Sequence, residues 1–344
     1  GGNMERKIKM DRVTLGKTGI TVNKNGFGAL PIQRIGKDQA VALLRKAFQN
    51  GIRFFDTARF YTDSEEKIGC ALADVRDQVF FSSKTAAETP EEFFSQLHTS
   101  LRELKTDHLD LYQFHNPAFC PKPGDGSGLY EAMQSAKAQG LIRHIGITNH
   151  RLPVAEEAVR SGLYETLQFP FSYLAAQKDV ELVRLCRREN VGFIAMKALA
   201  GGLITNSAAA YAYLAQFDNV LPIWGVQREK ELDEFLSYIG HPPVMDETLS
   251  AVIEKDRKDL AGDFCRGCGY CLPCPAGIEI PTAARMSLMI RRAPVKNYVN
   301  AEWKEKMERI ESCIHCNHCK EHCPYGLDTP KLLRENLEDY RHFI

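Results

Sequence analysis

Between Gly26 and Ile239 the chain alternates eight short apolar segments with eight amphipathic ones. The apolar segments are Gly26–Leu30, Arg53–Thr57, Val79–Lys84, Leu109–His115, His144–Thr148, Thr166–Phe169, Gly192–Lys197 and Leu221–Gly225. Short apolar runs bounded by turn residues read as strands buried on both faces. The stretches between them read as helices: Asp38–Gln49, Ser64–Ala73, Pro90–Leu104, Gly128–Gln139, Leu152–Ser161, Lys178–Arg188, Ser207–Gln216 and Glu229–Ile239. In the first, Ala40, Leu43, Leu44 and Ala47 recur at helical spacing. A hairpin is expected ahead of them, with Val13-Thr14-Leu15 and Ile20-Thr21-Val22 flanking Gly16-Lys17-Thr18-Gly19. Eight strand–helix units in about 230 residues predict an α/β chain closed into a (β/α)8 TIM barrel. An open doubly wound sheet usually carries a glycine-rich phosphate turn after its first strand. Gly26-Phe27-Gly28 lacks the third glycine and the helix start, and Gly201-Gly202 lacks the other elements of a phosphate loop.

Barrel chemistry sits at the carboxyl ends of the strands. Asp56 ends the second expected strand, Lys84 the third and His115 the fourth; Tyr61 follows Asp56 in its loop. Such a set suits proton donation to a carbonyl. A free tyrosine titrates near pH ~10, too high for an efficient acid at neutral pH. A lysine cation beside it is expected to lower that value. A buried aspartate keeps the lysine charged and placed, and an imidazole can orient the substrate oxygen.

Eight of the eleven cysteines crowd the last eighty residues. Cys265, Cys268, Cys271 and Cys274 form one run, followed by Pro275; Cys313, Cys316, Cys319 and Cys323 form another, followed by Pro324. A thiolate quartet closed by Cys-Pro is a [4Fe–4S] ligand pattern, so two clusters are expected. Only the second run has the full bacterial ferredoxin spacing; the first is one residue short before its last cysteine. In two-cluster ferredoxins the fourth cysteine of each run serves the other cluster. By that rule Cys265, Cys268, Cys271 and Cys323 form one set, and Cys313, Cys316, Cys319 and Cys274 the other. Zinc is the alternative, since Cys-x2-Cys pairs bind it and His315, His318 and His322 lie among the thiols. Cys70, Cys120 and Cys186 show no partner spacing and read as buried apolar cysteine.

The order and spacing of Asp56, Tyr61, Lys84 and His115 resemble the aldo-keto reductase superfamily. So do the segments Leu15-Gly16-Lys17-Thr18-Gly19 and Phe55-Asp56-Thr57-Ala58. The resemblance implies that Tyr61 is the general acid and that NADPH, with NADH as the alternative, supplies hydride in the barrel mouth. It places Thr148, Asn149 and Gln168 on the nicotinamide amide. Met196-Lys197 stands where the family often has a tyrosine stacked on the nicotinamide, and Phe235 where it often has an asparagine. Arg228 or Lys230 is expected on a 2′-phosphate. The cysteine segment is similar to the helical type of two-cluster ferredoxin domain. Fusions of this kind form a branch of the superfamily found mainly in anaerobes.

The expected organisation is a barrel over 11–240, a linker and helix over 241–263, and a ferredoxin-type domain over 264–335. Lys+Arg and Asp+Glu balance at 44 each, which gives no sign of a nucleic-acid or anionic-membrane partner. No apolar run reaches the roughly 18 residues that span a bilayer. The stretch before Asp11 is polar, without the apolar segment of a signal peptide. Cysteine clustering of this kind suggests metal ligation in a reducing cytoplasm. The expected activity is reduction of a small-molecule carbonyl or related electrophile with NAD(P)H, beside an iron–sulfur module that serves an electron-transfer protein, an electron exit or structure. One alternative is a ferredoxin-dependent reductase whose clusters feed single electrons to the barrel. Another is an electron carrier or structural subunit with a non-catalytic barrel.

Overall fold

The computed structural model describes residue 2 and residues 11–261, 263–292 and 294–344. The polar stretch ahead of Asp11 otherwise lies outside the described residues. The chain forms two compact units: one comprises residues up to Ala198 with Ser207–Leu249, the other Leu199–Asn206 with Ser250–Ile344.

The first unit is a closed barrel of eight parallel strands: β1 (Gly26–Gly28), β2 (Phe54–Asp56), β3 (Phe80–Thr85), β4 (Leu109–His115), β5 (Ile142–Thr148), β6 (Thr166–Pro170), β7 (Gly192–Met196) and β8 (Val220–Gly225). β8 pairs with β1 and closes the ring. Helices alternate with them: α1 (Lys37–Gln49), α2 (Ser64–Leu72), α3 (Pro90–Glu103), α4 (Leu129–Ala138), α5 (Leu152–Ser161), α6 (Gln177–Arg188), α7 (Ser207–Ala215) and α8 (Glu229–Leu236). Local signals explain their bounds. In α1 the buried residues Ala40, Leu43, Leu44, Ala47 and Phe48 form one stripe. At α3 the Thr89 hydroxyl accepts from Glu92 N at 3.2 Å, and Pro90 fills the first helical position.

Strand alternation sorts side chains between the barrel interior and the helix layer. In β4, Leu111 and Gln113 point inward, while Tyr112 and Phe114 meet Phe93 of α3. The hairpin strands Arg12–Thr14 and Thr21–Asn23 pair antiparallel. Their Val13, Leu15, Ile20 and Val22 pack with the inward residues Phe54, Leu111, Ile194, Leu221 and Ile223. A Cβ on Gly192 would stand 2.9 Å from Leu15, so only glycine lets the hairpin seat there.

The second unit is helical. From Ser250 it contains most of α9 (Glu247–Asp259), then α10 (Ile280–Ala283), α11 (Met286–Arg292), α12 (Ala301–Glu308), α13 (His318–His322) and α14 (Thr329–Arg341). Its core joins Ile280, Met286, Ile290, Met307, Leu333, Leu337 and Tyr340, and five of the clustered cysteines pack against that core. Three boundaries differ from those expected. Segment Leu199–Asn206, numbered within the barrel, groups with the cysteine unit, the expected linker over 241–263 is divided between the units after Leu249, and α14 continues past residue 335 to Arg341. The reason for the first is visible: Arg292 Nε donates to Leu203 O at 2.7 Å and its Nη2 to Asp256 Oδ1 at 2.8 Å. Among the described residues no helix is long and apolar enough to cross a membrane.

Candidate functional site

The barrel interior changes from apolar to polar along its axis. Beyond Phe54, Leu111 and Ile194 come Asp56, Ser82, Lys84, Gln113, Thr166 and Gln168, each 0–1% exposed. Buried polar groups are tolerated when each finds a partner, and these form a chain. Thr166 Oγ1 donates to Gln113 Oε1 (3.0 Å), and Gln113 Nε2 donates to Gln168 Oε1 (2.9 Å). Gln168 Nε2 faces Asp56 Oδ2 at 3.5 Å; Ser82 Oγ donates to Asp56 Oδ1 at 3.1 Å; Lys84 Nζ donates to Asp56 Oδ2 at 2.7 Å. Lys84 also donates to Thr57 O at 2.6 Å, which ties β3 to the loop that carries Tyr61. Gly146 makes room for the chain: a Cβ there would lie 2.1 Å from Thr166 Oγ1 and 2.7 Å from Gln113 Oε1.

Strand register brings the expected proton-handling residues together. Lys84 Nζ lies 5.2 Å from the Tyr61 ring centroid. The Tyr61 and His115 rings stand nearly perpendicular, 5.8 Å apart. Phe60, a large exposed residue, also meets the edge of His115 at 6.4 Å. Burial pushes the Asp56 carboxyl up, against the pull of Lys84. Desolvation works against the Lys84 cation, but Asp56 and Tyr61 outweigh it and hold the ammonium charged. The expected depression of Tyr61 is not what the geometry gives. Desolvation raises the phenol more than Lys84 lowers it, so Tyr61 stays fully protonated at neutral pH. Burial, then Lys84, drives His115 down to about 3, leaving a neutral imidazole.

The expected nucleotide contacts fall into two groups. Thr148 pairs with both His115 and Gln168 in register, and its Oγ1 accepts from Asn116 N at 3.0 Å. Met196 lies half-buried at the end of β7, its sulfur 3.9 Å from Gln168 Nε2, and Lys197 follows with φ +55°. Asn149 is engaged at both ends of its amide: Nδ2 donates to Pro117 O (2.8 Å), and Oδ1 accepts from Arg151 N (2.8 Å). Gln168 is likewise committed inside the barrel. Arg228 and Lys230 are exposed at the start of α8. Phe235 belongs to the core, stacked on Trp224 at 4.5 Å. Sequence reasoning missed Gln113, Ser82 and buried Glu65, which bonds Ser83 Oγ (2.7 Å) and pairs with Arg59. Gln113 had a signal, an amide two residues before His115 within an apolar strand.

In the second unit the thiols surround two cavities. Cys265, Cys268, Cys271, Cys319 and Cys323 line one; Cys271, Cys274, Cys313, Cys316 and Cys319 line the other. Each run wraps its cavity in the same way. Gly267 N donates to Cys265 Sγ at 3.3 Å, and His315 N donates to Cys313 Sγ at 3.4 Å. Left-handed residues recur two and four positions after the first cysteine: Gly267 and Gly269, then His315 and Asn317. The Leu272–Pro273 peptide, in the shorter run, is cis. Among the described residues no three His, Cys, Asp or Glu side chains converge as a single metal ion requires. His318 and His322 stack on each other at 3.9 Å, and His322 Nδ1 is bonded to His318 O. Thiols arrayed round a cavity suit a polynuclear cluster better than one zinc ion.

Residues 24–209 match the aldo/keto reductase family, 186 of the 344 residues. The chain belongs to that family. Residues 264–328 match a 4Fe-4S dicluster domain. It is similar to methylglyoxal reductase DkgB of Salmonella typhi, 34% identical over 148 residues, which are 41% of this chain and 52% of that protein. It is also similar to L-galactose dehydrogenase of Arabidopsis thaliana, 29% identical over 57% of this chain and 68% of the relative. The chain thus spans about half the length of the first relative. Among solved structures, aldo-keto reductase AKR11C1 from Bacillus halodurans superposes with a TM-score of 0.63 at 20% identity, covering 72% of this chain and 96% of that one. The NADPH complex of an aldo-keto reductase from Klebsiella pneumoniae gives 0.62 at 21% identity, covering 71% and 94%. At such identities these two establish the shared fold.

Proposed function

We propose that the barrel reduces the carbonyl of a small molecule, with Tyr61 as proton donor. The carrying observation is the buried Asp56–Lys84 ion pair set against Tyr61, with a neutral His115 across from it. Tyr61 remains protonated until the substrate oxygen gains negative charge. The Lys84 cation then stabilises the phenolate, which makes proton release easiest in the transition state. Asp56 positions Lys84, and neutral His115 orients the oxygen by a hydrogen bond. A nicotinamide nucleotide, when bound, supplies hydride to the carbonyl carbon; the NADPH complex of the Klebsiella relative supports this choice. Thr148, Met196 and Lys197 would hold its ring end, and Arg228 its phosphate end. Replacing Tyr61 with Phe should lower turnover by about 10²–10⁴, as for removal of a general acid. Turnover within threefold of wild type would refute the role.

The engaged amides of Asn149 and Gln168 and the absence of an aromatic residue at position 196 favour a second reading, in which single electrons reach the barrel from the clusters. Anaerobic titration with NADPH and then NADH, followed by nucleotide fluorescence, separates the two. Micromolar binding supports hydride transfer; no binding of either supports the second reading.

We further propose two [4Fe–4S] clusters, with Cys265, Cys268, Cys271 and Cys323 holding one and Cys274, Cys313, Cys316 and Cys319 the other. The cavity linings support this partition. Cys323→Ala should then disturb the spectrum of the same cluster as Cys265→Ala, although the two residues lie in different runs.

A further inference from the structure

Arg285 joins α10 to α11, and its guanidinium is wedged between two glycines. A Cβ on Gly201 would lie 2.1 Å from Arg285 Nη1, and one on Gly267 would lie 3.1 Å from the same atom. Both glycines are left-handed, with φ of +66° and +70°. Gly201 belongs to Leu199–Asn206, the segment that Arg292 holds through Leu203 O. Gly267 belongs to the first cysteine loop and donates its N–H to Cys265 Sγ. The neighbouring Arg266 also lines this cavity, its guanidinium 3.7 Å from the Phe264 ring centroid and 5.5 Å from that of Tyr325. The close approach to Gly267 places the Arg285 cation beside the Cys265 loop. Arginine stays charged throughout the accessible pH range.

We infer that Arg285 is a potential-setting residue that raises the reduction potential of the cluster in the Cys265, Cys268, Cys271 and Cys323 cavity. The inference rests on the cluster assignment proposed above. Reduction adds negative charge to the cluster, and a fixed cation stabilises the reduced state more than the oxidised one. Net charge and hydrogen bonds to sulfur are among the terms that set such potentials. The glycines serve this role by admitting the guanidinium where any side chain would displace it.

The test is an anaerobic redox titration of the full, cluster-loaded chain, followed by electron paramagnetic resonance, on wild type, Arg285→Gln, Arg285→Lys and Gly201→Ala. In Arg285→Gln one of two midpoints should move negative by about 59 mV, a tenfold change for a one-electron couple, and the other should stay. Arg285→Lys should restore most of the shift. Gly201→Ala, whose methyl displaces Nη1, should move the same midpoint in the same direction. Unmoved midpoints in Arg285→Gln and Gly201→Ala, with full iron and sulfide content, would overturn the inference. If Arg285→Gln does not retain its clusters, Gly201→Ala decides alone. Wild-type chain without iron and acid-labile sulfide would sink the cluster assignment, and with it this inference, by a separate measurement.

Discussion

Replacing Lys84 with Met probes the centre of the barrel site most directly. The methionine keeps most of the side-chain volume and removes the charge. The Asp56 and Lys84 side chains are 2% and 1% exposed and meet at 2.7 Å. Breaking one side of such a pair costs about 3–5 kcal/mol when the remaining charge stays ionised. Asp56 has an escape, because burial already pushes its carboxyl up and loss of the cation pushes it further. Its folded pKa then lies above the unfolded value, near ~4, so the folded state holds a proton that the unfolded state releases. Stability of the variant therefore falls as pH rises from the unfolded value towards the folded one, by about 1.4 kcal/mol per pH unit. Relative to wild type, the loss should be about 1–3 kcal/mol larger at pH 8 than at pH 5. The assay is urea unfolding of the full chain at both pH values, read from the fluorescence of buried Trp224 in a Trp303→Phe background. An equal loss at the two pH values would refute the reasoning, as would a loss below about 1 kcal/mol at pH 8.

His115 gives the opposite sign. Its folded value of about 3 lies below the unfolded one, so its contribution is present above the unfolded value and lost as pH falls towards 3. His115→Gln should flatten the acid side of a Tm-versus-pH profile; an unchanged profile would contradict the burial argument. Gly146→Ala should cost about 1–3 kcal/mol, through overpacking against Thr166 and Gln113, and urea midpoints would show it. His315→Gly should stabilise the second unit by about 1 kcal/mol, by removing a side chain from a left-handed position. That gain is measurable as a later loss of cluster absorbance on heating.

The barrel was legible because its two periodicities alternate cleanly. β4 spans the expected residues Leu109–His115, and α5 the expected Leu152–Ser161. Strand ends also gave the positions of Asp56, Lys84 and His115, since a closed parallel barrel places carboxyl ends on one rim. Partnership inside the barrel was not legible. Gln113 and Gln168 lie 55 residues apart and meet only because the ring closes. The balance at Tyr61 was hidden for a similar reason: spacing shows a cation nearby but not how much water burial removes. In the cysteine unit the spacing gave the ligand candidates. Two things were out of reach: the break between α10 and α11, and the use of left-handed His315 and Asn317 where the first run has Gly267 and Gly269. Grouping of Leu199–Asn206 with that unit depends on Arg292, 89 residues from its partner Leu203.

The two thiol-lined cavities draw on both cysteine runs, and this turns an inorganic cofactor into a staple. With a cluster in each cavity, Cys271 is tied to Cys323 and Cys274 to Cys313, and each tie closes the chain between the runs into a loop. Closing loops of about 40–50 residues removes unfolded-state entropy of the order that a disulfide removes, roughly 3–4 kcal/mol each. Neither loop can be closed alone without fixing part of the other cavity, because Cys271 and Cys319 line both. A cluster lost from one cavity would therefore loosen a wall that its neighbour shares, so damage at one site would be felt in the stability of the other.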